Sequence, residues 1–423
     1  MNKQKKIIFL SEMPITNGVI QAQLFPILLS SAHHGYATEI METTGRFDSQ
    51  DSYRPEAEKK LINAKIGLHK INVPRFTFLP SILYFSLKTY GLLKKQVENK
   101  KKRSIILYAR NYKFIPILLW ANYFWHINFI YSPRGAYVAE RKHYQKIKDI
   151  LYEKVIGLVE RLTIQKSFAT IVETEQFKKH LEKLYGIDEK NISVIPNYWD
   201  ASLVPGKNWN RAEMRDKLGF TGKKVIVYTG TVEAWYDFEK MVDLVAKLKE
   251  KDPSIFFQLF LKEDYARTES LGIFKSLPEI FKKFGFKKDD YAISSYAPCE
   301  RYHHLSACDA GICLTTTAEF KTMMLYLKIV DFWGAGLPVI TNKEIDAVAK
   351  AIKSSNTGAL IDYADWENSV AKINTVKLLK KSSAYQKEVE KYSSKKILPL
   401  YLNLFEKIFD NPEFKTIFKN HAL

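Results

Sequence analysis

The sequence predicts an α/β protein built from two doubly wound, Rossmann-like domains. Three observations carry that reading: the length, the alternation of short apolar runs with helix-period segments, and a restart of that alternation near residue 222. A chain of 423 residues exceeds one ordinary domain and suits two, each with its own core. Its 46% hydrophobic and 26% charged residues are those of a packed globular protein.

Residues 6–11 are a short apolar run, read as a strand, followed by a loop to Gly18 and a helix over 19–34 with apolar positions at Ile20, Leu24, Ile27 and Leu28. Gly35 stops that helix, and 37–41 is the next strand. Further strands are expected at 104–109, 127–131, 169–172 and 192–196, with helices at 114–125, 144–166 and 175–185 between them. Strands that alternate with helices form a parallel sheet covered on both faces. Pro205, Gly206, Gly219 and Gly222 lie among charged residues and mark a connector. The pattern then resumes, with strands at 225–229, 256–261, 291–294, 310–314 and 338–341 and helices at 238–251, 273–284, 300–306 and 326–333. The expected organisation is therefore an N-terminal domain over 1–200, a connector over 201–221 and a second domain over 222–385. A C-terminal helical segment over 386–423 is expected to pack back towards the first domain.

Several function classes are excluded or disfavoured. Cys299, Cys308 and Cys313 form no CxxC pair and no tetrahedral metal spacing, so they read as buried thiols of a reducing compartment. The basic start is followed by an apolar run, Ile7 to Leu10, too short for a signal peptide, which makes a cytoplasmic location the expectation. Residues 114–131 are interrupted by Asn122, His126 and Asn128 and read as a buried helix and strand instead of a membrane span. The net charge is +19, and residues 1–200 hold 31 basic against 18 acidic residues. That asymmetry suits a surface facing anionic lipid or nucleic acid, and near an anionic membrane each basic residue contributes about 1 kcal/mol; the alternative is an ordinary solvated face.

Ligands of open α/β sheets bind beyond the carboxyl ends of the strands, where loop amides and helix N-termini attract phosphate. Gly230 and Thr231, Lys262, and the run Thr315, Thr316 and Thr317 follow strands in the second domain. The densest signal is KIVDFWGAGLPVI over 328–340. Lys328 and Asp331 are three apart on a helix and share a face, while Gly334 and Gly336 let that helix end tightly. A carboxylate there can accept both hydroxyls of a ribose and a lysine can sit beside a diphosphate. The competing explanation is an intrahelical ion pair worth about 0.2–0.5 kcal/mol.

That run resembles the donor-binding segment of GT-B fold glycosyltransferases, particularly the large, mainly retaining group similar to glycosyltransferase family 4 that makes bacterial polysaccharides and glycolipids. In that group a carboxylate shortly before the A-x-G-x-P-V stretch holds the nucleotide ribose, and Asp331 falls there. The opening IIFLSEMP, the pair His34-Gly35, SPRGAYVAER over 132–141, VIPNYWD over 194–200, VYTGTVEAWYDFE over 227–239 and CERYHHLSACDAGICL over 299–314 are similar to further segments of these enzymes, in the same order. The resemblance implies two Rossmann-like domains facing across a cleft, a nucleotide-sugar donor held by the second, and a glycan or lipid-linked acceptor presented by the first. It implies donor contacts from Gly18, Gly230, Thr231, Lys262, Thr316, Glu319, Lys328 and Asp331, and an anionic acceptor contact from Arg134, for which a structural pair with Glu140 is the alternative.

The chain departs from the family pattern in three places. Met323 stands where many members have a Glu, Asp331 replaces the commoner Glu, and the Gly230 loop lacks the usual Arg and Lys. The residues identify no nucleophile and the expectation is that no metal or other cofactor is required. Asn197 and Asp200 read as connector anchors, and His303 and His304 as structural. The expected activity is sugar transfer in cell-surface polysaccharide synthesis, with an anionic membrane surface as a further partner through Lys94, Lys95 and Lys100 to Arg103. Two other classes compete: a sugar-nucleotide epimerase, for which the acid/base set is missing, and a basic nucleic-acid-binding protein. Against the latter, the aromatics lie in apolar runs and not among basic residues, so no nucleic-acid partner is expected.

Overall fold

Thirteen strands form two parallel sheets among the residues that the computed structural model describes, namely 5–44, 53–72, 78–97, 104–136, 150–187, 191–232, 235–261, 276–355, 358–373 and 383–410. The chain divides into two compact units, one of residues 1–196 with the stretch beginning at Ile397, the other Asn197–Lys396.

In the first unit the strands are β1 (Lys6–Ser11), β2 (Ala37–Thr44), β3 (Gly67–Asn72), β4 (Ile105–Arg110), β5 (Asn128–Ser132), β6 (Ala169–Val172) and β7 (Ile192–Val194). Their order is β3-β2-β1-β4-β5-β6-β7. Every residue of β1 and β4 is buried, as expected of strands covered on both faces. The chain winds one way from β1 to β2 and the other way from β1 to β4, so the crevice at their carboxyl ends is the topological switch point.

The second unit repeats the plan with β8 (Lys224–Gly230), β9 (Ile255–Leu261), β10 (Tyr291–Ser294), β11 (Ala310–Cys313), β12 (Val339–Asn342) and β13 (Gly358–Ile361), ordered β10-β9-β8-β11-β12-β13. Alternate residues of β8 feed opposite cores. Val225 and Val227 pack with Phe332 and Trp333, whereas Ile226 and Tyr228 pack with Val242 and Leu244. Here the switch point lies between β8 and β11.

The structure differs from the expected elements where local chemistry intervenes. The helix expected over 19–34 is two helices, Gly18–Gln23 and Phe25–His33, because Pro26 cannot donate a helical hydrogen bond and sits instead in the first turn of the second. The connector contains a helix, Arg211–Lys217, capped by the Asn210 side chain on the amides of Ala212 and Glu213. Gly336, with φ +73°, closes the helix Leu327–Gly334 as expected, but Gly334 has another reason to be glycine. A Cβ there would lie 2.6 Å from the Cβ of Trp199. Of the cysteines, Cys308 and Cys313 are buried as expected and burial pushes the Cys313 thiol up to about 12, but Cys299 is partly exposed.

Asn197 and Trp199 anchor the chain within the second unit. The Asn197 amide donates to the Leu325 carbonyl at 2.6 Å, and the Trp199 indole donates to the Val389 carbonyl at 2.9 Å.

Candidate active site

The loops after β8 and β11 meet at the switch point of the second unit, and the helix Leu327–Gly334 opens beside them. Gly230 ends β8 with φ +96°, a conformation that glycine adopts without strain. A Cβ at that position would come within 3.6 Å of the Lys328 ammonium, so lysine and glycine are in close approach. Lys328 is buried and donates to the Tyr228 hydroxyl at 2.8 Å and to the Thr231 carbonyl at 3.4 Å. Tyr228 in turn donates to the same carbonyl at 2.7 Å. The ammonium lies 3.7 Å from the ring centre of Tyr236 and 4.1 Å from that of Tyr228, a cation–π setting that holds charge away from water.

The loop after β11 is fixed by the Thr315 amide donating to Asn342 at 3.0 Å and the Thr316 amide donating to the Trp235 carbonyl at 2.9 Å. Among the described residues the Thr316 hydroxyl is buried without a hydrogen-bond partner, the kind of unfilled capacity that marks a water or ligand position. Gly230, Thr231, Thr316 and Lys328 are thus brought together.

A second lysine, which sequence reading missed, joins them. Lys321 is buried with its ammonium 4.5 Å from the ring centre of Trp235, so both lysines border the loop after β8. Its only sequence signal was its place in the loop between β11 and the helix at 327. Glu319 is exposed at the start of the short helix Glu319–Thr322.

Asp331 faces elsewhere. Arg301 Nη1 donates to its two oxygens at 2.9 and 3.0 Å, and Tyr302 adds a third hydrogen bond at 2.7 Å. Burial opposes charge on Arg301, but Asp331 beside it holds the guanidinium above its ordinary pKa. An ionised carboxylate offers about four acceptor sites, so roughly one remains. Both hydroxyls of a ribose cannot be accepted as the sequence suggested. Lys328 and Asp331, although three apart, are directed to different partners.

The remaining candidates lie apart from this group. Lys262 lies outside the described residues, as does Glu140. Gly18 is the exposed first residue of its helix in the N-terminal unit, where Asn17 caps the Val19 amide. Arg134 follows β5 in that unit, and its Nη1 pairs with Glu173 at 3.1 Å. His303 and His304 pack near aromatic rings, and among the described residues no cluster of His, Cys, Asp or Glu could hold a metal ion.

Residues 41–203 match the family model Glycosyltransferase Family 4. Anabaena Alr3699/HepE in complex with UDP and glucose superposes with a TM-score of 0.67, 14% identity and coverage of 96% of this chain and 100% of that one. Sucrose-phosphate synthase from Thermosynechococcus elongatus gives a TM-score of 0.68 at 11% identity, with coverage of 96% and 99%. The chain has the GT-B fold of these structures. Among curated sequences it is similar to a chitobiosyldiphosphodolichol beta-mannosyltransferase of Candida albicans, 24% identical over 231 residues. That match takes in 53% of this chain, which spans about half (47%) of the relative's length.

Proposed function

We propose that the protein transfers a sugar, with retention of configuration, from a nucleoside diphosphate sugar to a lipid-linked glycan in cell-surface polysaccharide synthesis. The observation that carries the donor assignment is the convergence of Gly230, Thr316 and Lys328 at the second unit's switch point. Transfer breaks the bond between the sugar and the diphosphate and forms one to an acceptor hydroxyl. Negative charge then grows on the departing diphosphate, where two desolvated lysines, Lys321 and Lys328, are most effective. The Gly230 and Thr231 backbone and the Thr316 hydroxyl flank the phosphates, Asp331 accepts one ribose hydroxyl, and Gly18, Glu319 and Lys262 complete the donor contacts. Arg134 belongs to the acceptor side. The lipid-linked acceptor is supported by the name of the Candida relative.

A cytoplasmic, peripheral location on an anionic membrane is part of the same reading. No described helix is long and apolar enough to cross a membrane. In the N-terminal unit, however, Leu87, Tyr123, Phe124, Val155, Leu158 and Leu162 are exposed on three neighbouring helices that also carry exposed Lys88, Lys94, Lys95, Lys154 and Arg161. Exposed apolar side chains together with cations on the same helices suit an anionic interface. The activity test is release of nucleoside diphosphate from a nucleotide sugar. Release stimulated by a lipid-linked glycan, with sugar appearing in the lipid phase, is expected; acceptor-independent turnover that interconverts two sugars would instead indicate an epimerase.

A further inference from the structure

The N-terminal unit has its own cluster of charge at the carboxyl end of its sheet. Arg110 ends β4 at the β1/β4 switch point, Arg134 follows β5, and Glu173 follows β6. Arg110 and Arg134 both lie beside Glu173. Arg110 and Glu173 are each about 95% buried, at 5% and 4% exposure. Arg110 Nη2 donates to the Gln23 side chain, and Arg134 Nη1 to Glu173 Oε1. Among the described residues three neighbouring polar atoms are buried with no hydrogen-bond partner: Arg110 Nη1, Glu173 Oε2 and Tyr108 Oη.

A buried cation with an unpartnered donor, as Arg110 Nη1 is among the described residues, is costly unless an acceptor compensates it. Burial and the adjacent Arg134 both push the Arg110 guanidinium below its ordinary pKa, the direction expected of a cation lacking its counterion. The backbone points the same way. Asn111, the next residue, has φ 91° and ψ 148°, a region that side-chain-bearing residues avoid at a cost and that clusters at functional sites.

We propose that Arg110, with Arg134, forms an oxyanion-binding centre that takes a phosphate group of the acceptor, while Glu173 orients Arg134 and limits the affinity. The inference rests on the reading of the N-terminal unit as the acceptor side and adds both the chemical class recognised and a residue, Arg110, that sequence reading did not single out. Because the guanidinium is planar with several fixed donors, it suits phosphate recognition.

The test uses the full chain, with inorganic phosphate and UDP, GDP and ADP as probes in calorimetry and thermal unfolding. Phosphate should bind and raise the unfolding temperature of the native protein, and Arg110→Met should weaken that binding by about tenfold or more, the loss of a charged hydrogen bond. Glu173→Gln should tighten phosphate binding, since it removes a competing negative charge while keeping the shape; a purely structural Glu173 would give no gain. The Glu173 variant keeps the proposal testable if Arg110→Met fails to fold. Absence of phosphate binding, or a folded Glu173→Gln variant with unchanged or weaker affinity, overturns the proposal. Loss of UDP binding in a folded Arg110→Met variant would assign the arginines to the donor diphosphate and equally overturn it. Failure of UDP, GDP and ADP alike to bind the native protein would count against the donor assignment alone, because phosphate binding and its response to Glu173→Gln are read independently.

Discussion

Asp331 and Glu173 are both buried carboxylates beside a buried or partly buried arginine, one in each unit, yet they are left in different states. Asp331 receives three hydrogen bonds from Arg301 and Tyr302. Glu173 receives one from Arg134 and keeps an oxygen without a partner among the described residues. The first has most of its capacity filled from within, with room for about one more donor, whereas the second leaves a whole oxygen open to a further group. A buried charge therefore does not by itself mark a binding position; the test is whether its hydrogen-bonding capacity is already filled.

The sharpest way to break this comparison is Asp331→Ala. It leaves Arg301 buried and unpaired, so the second unit should lose about 3–5 kcal/mol of stability, read as a lowered denaturant midpoint. A variant as stable as the native protein would mean that the pair is not structural and that Asp331 is free for a ligand. A smaller effect is expected beside it. Gly334→Ala pushes a methyl against Trp199 and Tyr302 and should cost about 1–3 kcal/mol, with no loss expected if the residue were glycine only to end its helix.

The smallest effect concerns a third carboxylate, Glu160, whose two oxygens accept from Tyr131 at 2.8 Å and Tyr185 at 2.7 Å. Burial raises its pKa in spite of both hydrogen bonds. With the folded value above the unfolded one, the native state binds the proton more tightly, so stability from this group is greatest below the ordinary carboxylate range and falls as pH rises through the raised value. Glu160→Gln removes that dependence. The stability difference, variant minus native, should increase from mildly acidic to neutral pH, and a difference independent of pH would contradict the assignment.

The fold was largely legible because its signals are local. Thr174 and Gly186 bracket the helix Glu175–Tyr185 where the sequence placed it, the threonine hydroxyl capping the Phe177 amide and the glycine taking φ +58°. The apolar runs of β1 and β8 were equally plain. The strand β3, GLHKIN, was missed because it lies at the sheet edge, is only partly buried, and mixes charged with apolar residues. The site was legible only in its backbone positions. Gly230 and Lys328 stood out by motif, but the partners that fix Asp331 lie 29 and 30 residues earlier, and the neighbours of Arg110 come from four other segments of the chain. Such pairings are set by tertiary packing and leave no periodic trace in the sequence.

The β8/β11 crevice of the second unit is proposed to hold a nucleoside diphosphate through Lys328. The most direct test is calorimetric titration of UDP-, GDP- and ADP-sugars into the native protein and into Lys328→Met, with thermal unfolding confirming that the variant is folded. At least one donor should bind the native protein, and that affinity should fall in the variant by about 1.5–3 kcal/mol, as for a lost charged hydrogen bond. Equal affinity of a folded variant, or no binding of any nucleotide sugar to the native protein, would contradict the account.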